Sequence, residues 1–127
     1  GCGSGILAIA AAKLAATRVK AVDNDPVAVA AARKNAALNR VEDRIEFACS
    51  PIESEVESFD VVIANLDPMT LQANKDQLIR VSGTFLIISG VPVDQWNDIK
   101  TVFLSEKLVF GKEIVREEWG CGLFTKK

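Results

Sequence analysis

From the first residue on, the pattern of apolar and polar positions reads as helix, strand, helix, strand, strand, helix, strand, helix and a paired β ending. Residues 6–16, rich in Ala, Leu and Ile, predict a buried helix opened by glycines. Residues 18–23 hold Val-Lys-Ala-Val, a short strand. Asp25 and Pro26 then predict a helix start: the carboxylate can accept an early N–H, and proline lacks a donor the first turn does not use. That helix runs to about Leu38 and consists almost wholly of helix formers. Residues 44–48 predict a short strand. Residues 59–66, Phe-Asp-Val-Val-Ile-Ala-Asn-Leu, contain no breaker and predict a buried strand of the parallel type. Asp67-Pro68 repeats the start signal for a helix over residues 69–80, and residues 84–89 form an apolar strand that Gly90 and Pro92 are expected to break. The next helix puts Trp96, Ile99 and Phe103 on one face. Residues 107–117 and 119–125 predict an antiparallel hairpin. Strands alternating with helices imply an α/β, Rossmann-like fold: a mostly parallel sheet with helices on both faces, in one domain spanning residues 1–127.

Composition narrows the chemistry. The chain has 127 residues, 49% hydrophobic and 25% charged, with a net charge of −2. Its cations are mixed with acids along the chain, so direct nucleic-acid binding is not expected. The absence of His removes Ser-His and Cys-His nucleophile pairs and the usual neutral-pH proton shuttle. Cys2, Cys49 and Cys121 are widely spaced and odd in number, which suggests neither a zinc cage nor a disulfide framework and fits reduced, cytoplasmic thiols. No apolar run reaches the roughly 20 residues of a membrane span. The opening at Gly1, without Met or a basic segment, reads as a truncation rather than a signal peptide. Asp23, Asn24 and Asp25 are followed by Pro26 and lack the turn Gly and distal Glu of a calcium loop, so no metal is expected.

The chemistry-bearing residues cluster in two places. Gly1, Cys2, Gly3, Ser4 and Gly5 lead directly into a helix, whose amino end offers free N–H groups to a ligand. Asp23 follows Gly5 by 18 residues, at the end of the next strand. In dinucleotide-type folds an acid at about that offset receives ribose hydroxyls. A tight turn capped by Asp23 would use the same residues. A nicotinamide fingerprint would need its third Gly at position 6, which is Ile6; the spacing here is G-x-G-x-G, the form usual in methyltransferases. Asn65 lies at the carboxyl end of its strand, the edge that faces the ligand crevice in open α/β sheets. It serves there either as an acceptor for a substrate amine or as a plain turn residue. Trp119 and Cys121 read as packing residues.

The segments GCGSGILAIAA, AVDNDPVAVAAARKNAALN, FDVVIANL and LIISGV, with the ending REEW and a last strand, resemble the ribosomal protein L11 methyltransferases over nearly the whole chain. The resemblance implies a seven-stranded class I methyltransferase fold with S-adenosylmethionine as cofactor. It also implies methylation of lysine side chains or the terminal amine of a ribosomal protein. Carried over by position, Gly1, Cys2, Gly3, Ser4 and Gly5 hold the methionine end of the cofactor, Asp23 binds the ribose and Asn24 lies beside the adenine. Asn65 lines the methyl-transfer pocket, as both catalytic and cofactor-contacting residue.

The chain departs from the family pattern in several ways. The family's first strand, the acid before its first Gly and its amino-terminal recognition domain are not in this sequence, so a gap in the sheet is expected. The stretch after Asn65 is short, Cys49-Ser50-Pro51 stands where many relatives carry an acid, and no Pro-Gly-Gly precedes Thr84. Enzymes acting on planar nitrogens show Asn-Pro-Pro and then an aromatic that stacks on the flat group. Leu66 follows Asn65 with no aromatic near in sequence, so an aliphatic amine is expected. A small-molecule N-methyltransferase and a non-catalytic cofactor-binding fragment are the alternatives on the same core.

Overall fold

The computed structural model describes residues 1–105 and 107–127. The chain divides into two compact units, Gly1–Ser54 and Glu55–Lys127.

In the first unit the elements are α1 (Ile6–Lys13), β1 (Val19–Asp23), α2 (Pro26–Leu38) and β2 (Ile45–Cys49), with 3-10 turns at Glu42–Arg44 and Ile52–Ser54. β1 and β2 pair in parallel, from Val19 opposite Ile45 to Asp23 opposite Cys49. Asp25 caps α2 as expected, its side chain accepting from the Val27 N–H at 2.9 Å. The core joins Ile9, Ala12 and Ala36 from the helices to Val19, Ala21, Val41 and Ile45.

α1 differs from expectation in length and in burial. It stops at Lys13 because Ala15 turns into the left-handed region at φ 69°. The Ala15 N–H then donates to Ala12 O at 3.3 Å and the Ala16 N–H to Ala11 O at 3.1 Å, the paired bonds of a Schellman cap. α2 ends in the same way through Arg40 at φ 59°, with bonds to Ala37 O and Ala36 O, both at 3.0 Å. Neither end carries the glycine that marks such a stop in sequence. Nor is α1 a buried helix. Only Ile9 and Ala12 are buried, one narrow stripe, while Ile6 is 70% and Leu14 83% exposed.

The second unit contains β3 (Phe59–Asn65), α3 (Pro68–Ala73), α4 (Lys75–Val81), β4 (Ser82–Pro92), α5 (Val93–Phe103), β5 (Leu108–Arg116) and β6 (Trp119–Lys126). Its sheet runs β3-β4-β6-β5, with β3 parallel to β4 and the other pairings antiparallel. Both parallel pairs and the C-terminal hairpin are those of the expected α/β fold. Among the described residues the strands form two sheets rather than one.

Three local expectations give way. The single helix over residues 69–80 is two, because Asn74 leaves helical geometry at φ −104°, ψ 10° and turns its amide back to Thr70 O at 2.9 Å. β4 does not end at Ser89. Gly90 (φ 82°) absorbs a bulge, and pairing resumes at Val91 with Gly120 and at Pro92 with Trp119. β3 is parallel as expected but not buried: it is the edge strand of its sheet, and of its residues only Ala64 is buried.

α5 behaves as the pattern requires, with Trp96, Ile99 and Phe103 all buried. The Trp96 indole rests on two glycines of β6. A β-carbon added at Gly120 would lie 2.7 Å from it, and one at Gly122 2.5 Å. Its Nε1 donates to Glu113 Oε2 at 2.6 Å. No helix among the described residues is long and apolar enough to cross a membrane.

Candidate functional site

The residues singled out in the first unit converge on the carboxyl end of β1. The Cys2 N–H donates to Val22 O, and the Gly5 N–H closes the turn on Cys2 O, each at 2.9 Å. Asp23 anchors the loop: its Oδ2 accepts from the Gly3 N–H and its Oδ1 from the Asp25 N–H, both at 3.0 Å. Gly3 and Gly5 sit at φ 53° and 83°, where a side chain is strained. At Gly5 space is short as well, since a β-carbon would stand 3.0 Å from Ala32 Cβ. Burial pushes the Asp23 carboxyl upward. The N–H groups of Asp25 and Gly3 oppose burial, and its pKa lies below the ordinary value.

An ionised carboxylate offers about four lone-pair sites, so two N–H bonds leave capacity for a vicinal diol. Asn24 is exposed, with its side chain open to a ligand. Burial first, and the Asp23 charge second, push the Cys2 thiol above its usual value, which disfavours the thiolate.

Two loop supports escaped the sequence reading. Asn35 donates from Nδ2 to Ser4 O at 2.9 Å, and its own carbonyl accepts from Asn39 Nδ2 at 2.8 Å. Ala32 supplies the close wall against Gly5. Both stand on α2, three residues apart and thus on one face, the only trace the sequence carries of their common target.

In the second unit Asn65 ends β3 with its side chain exposed. It lines a cavity of about 430 Å³ together with Leu66, Asp67, Ser89, Gly90 and Trp119. The Leu66 N–H donates to Ser89 O at 3.2 Å. Asp67 caps α3, accepting from the Thr70 hydroxyl at 2.6 Å and the Thr70 N–H at 2.9 Å. Those two bonds, the hydroxyl's first, hold its carboxyl below the ordinary value and keep it ionised. Trp119 corrects the sequence reading. It is 53% exposed rather than a packing residue, and it brings an aromatic to Asn65 that proximity in sequence did not reveal. The register explains this: β3 pairs with β4, β4 with β6, and Trp119 opens β6 opposite Pro92.

The fold is shared with methyltransferases of known structure, among them magnesium protoporphyrin IX methyltransferase from Synechocystis. At a TM-score of 0.82 and 17% identity, that match covers all of this chain and 67% of the other. The crystal structure of ribosomal protein L11 methylase from Lactobacillus delbrueckii subsp. bulgaricus matches at a TM-score of 0.92 and 29% identity, covering 100% of this chain and 67% of that one. The model of the family ribosomal protein L11 methyltransferase (PrmA) matches residues 1–127, and the chain belongs to that family. A ribosomal protein L11 methyltransferase of Pelobacter propionicus is 40% identical over 99% of this chain, and one of Thiobacillus denitrificans 49% identical over 81%. The chain spans 41% and 34% of the length of these two relatives.

Proposed function

We propose that this chain is the cofactor-binding domain of an S-adenosylmethionine-dependent N-methyltransferase whose acceptor is a lysine side chain or terminal amine of a ribosomal protein. The observation that carries the reading is the loop of residues 1–5 closed onto the Asp23 carboxylate, in a chain of this family. The residues suit the cofactor. Gly3 and Gly5 let the backbone approach its methionine end, Asp23 keeps lone pairs for the ribose hydroxyls, and Asn24 is open beside them for the adenine. Gly1, Cys2 and Ser4 contribute backbone to the same loop.

S-adenosylmethionine, held by the loop of residues 1–5 and Asp23, would supply an electrophilic methyl group to the lone pair of the acceptor nitrogen, with its sulfur as the leaving group. The protein's part is alignment, which can supply much of the acceleration in such an in-line displacement. Asn65 orients the acceptor amine through its amide oxygen. Trp119 offers an apolar wall. A lysine must shed its proton first, which from a reference pKa of about 10.4 costs roughly 4 to 5 kcal/mol at neutral pH. Partial desolvation against Trp119 lowers that cost, and the proton leaves to water. Asp67, held ionised by Thr70, is too weak a base for this step.

A ribosomal-protein acceptor sets the reaction in the cytoplasm. The test is incubation of the natural full-length protein with S-adenosylmethionine labelled in its methyl group and the ribosomal protein L11 of the same organism. The reading expects label on an amine nitrogen of that protein, lost in Asn65→Ala. Label only on small amines, or none with the cofactor bound, contradicts the ribosomal acceptor.

A further inference from the structure

We infer that Gly90 is a positioning residue that sets the direction of the Asn65 amide, an inference that rests on the reading of Asn65 as the acceptor-orienting group. The sequence gives Gly90 the role of a strand terminator, yet β4 passes through it and resumes pairing at Val91. A glycine inside a strand weakens it, so its place here needs another reason. The reason lies in what stands next to it. Asn65 pairs with Ser89 across β3 and β4, and Gly90 follows at the bulge with φ 82°. A β-carbon built on Gly90 would collide with Asn65 Oδ1 and lie 3.0 Å from Leu66 O and 3.1 Å from Leu66 N. The Asn65 amide thus occupies the volume that any other residue at 90 would fill.

No hydrogen bond holds that amide among the described residues. What confines it is the bare face of Gly90 on one side, with the Leu66 backbone tied to Ser89 O beneath. Bulges near sites commonly re-aim a side chain. This one makes room for the side chain of the neighbouring strand.

The experiment is a double-mutant cycle of Gly90→Ala and Asn65→Ala in the natural full-length protein. It reads kcat and KM for the acceptor, cofactor affinity by calorimetry, and the thermal unfolding midpoint. Gly90→Ala should lower kcat on the order of 100-fold, as misplacing a reactive group does, with cofactor affinity kept within about twofold. Added to Asn65→Ala, it should change kcat less than about threefold and lower the midpoint less than it does in the parent. Gly90→Asn tolerates the left-handed backbone but keeps the collision, so it should lose kcat similarly with a smaller midpoint drop. Effects that multiply in kcat, or midpoint losses equal with Asn or Ala at position 65, overturn the inference. If Asn65→Ala alone leaves kcat intact, the catalytic reading of Asn65 falls. The midpoint cycle then still decides the contact: a smaller loss with Ala at 65 upholds it, and an equal loss overturns it.

Discussion

The loop of the first unit and the cavity of the second are built on opposite plans. In Gly1–Ser54 the candidate residues lie in two short stretches joined by one helix, and Gly3 meets Asp23 across 20 positions. A βα turn followed by the next strand places them, so the chemistry survives as a spacing in the chain. In Glu55–Lys127 the cavity draws Asn65, Gly90 and Trp119 from three strands, the outer two 54 positions apart (119 minus 65). Strand pairing, not local spacing, assembles it. A motif closed by neighbouring elements can be read before the fold is known; a site assembled by register cannot.

The sharpest way to separate the two regions is to remove Asp23. Asp23→Ala leaves the N–H groups of Gly3 and Asp25 without their charged acceptor, a loss of about 3 kcal/mol that corresponds to roughly 100-fold weaker cofactor binding. Both tryptophans of the chain lie in the second unit, so tryptophan emission should stay unchanged while calorimetry records the loss. A shifted emission would mean that the two regions do not act separately.

Gly120→Ala inverts that experiment. Its β-carbon would press into the Trp96 indole, and overpacking of this kind costs about 1 to 3 kcal/mol. Trp emission and the unfolding midpoint should move, with cofactor affinity nearly kept.

A finer cut falls inside the first unit. Asn35→Ala removes the bond to Ser4 O and frees the loop by about 1 kcal/mol, roughly a fivefold loss in cofactor affinity on titration. No change there would leave the glycines and Asp23 as the loop's whole support.

The most gradual effect is on acid stability. The Asp23 carboxyl titrates lower in the folded chain than in the unfolded one. Its contribution is therefore complete above the ordinary Asp value near pH 4, and it drains as pH falls through the lowered pKa. Urea midpoints measured down that range should fall more steeply in the parent than in Asp23→Asn.

Particular residues show how far sequence carried. The caps at Asp25 and Asp67 were visible because Asp-Pro states its geometry outright. The ends of α1 and α2 were harder, since Ala15 and Arg40 take left-handed positions that glycine usually marks. Gly90 reads as a stop in sequence because a bulge and a terminator look alike until the partner strand is known. Trp119 reads as packing in sequence because one aromatic opening a strand gives no sign of which face or neighbour it meets. The exposed β3 defied an apolar pattern that describes a strand flanked on both sides, whereas β3 lies at the edge of its sheet.

Residues 1–5 and Asp23 are proposed to form an S-adenosylmethionine site. Calorimetric titration with S-adenosylmethionine and, in parallel, with NAD tests it most directly. Saturable binding of the first alone, lost in Asp23→Ala, is the predicted result. Binding of NAD, or of S-adenosylmethionine with undiminished affinity in Asp23→Ala, would contradict it.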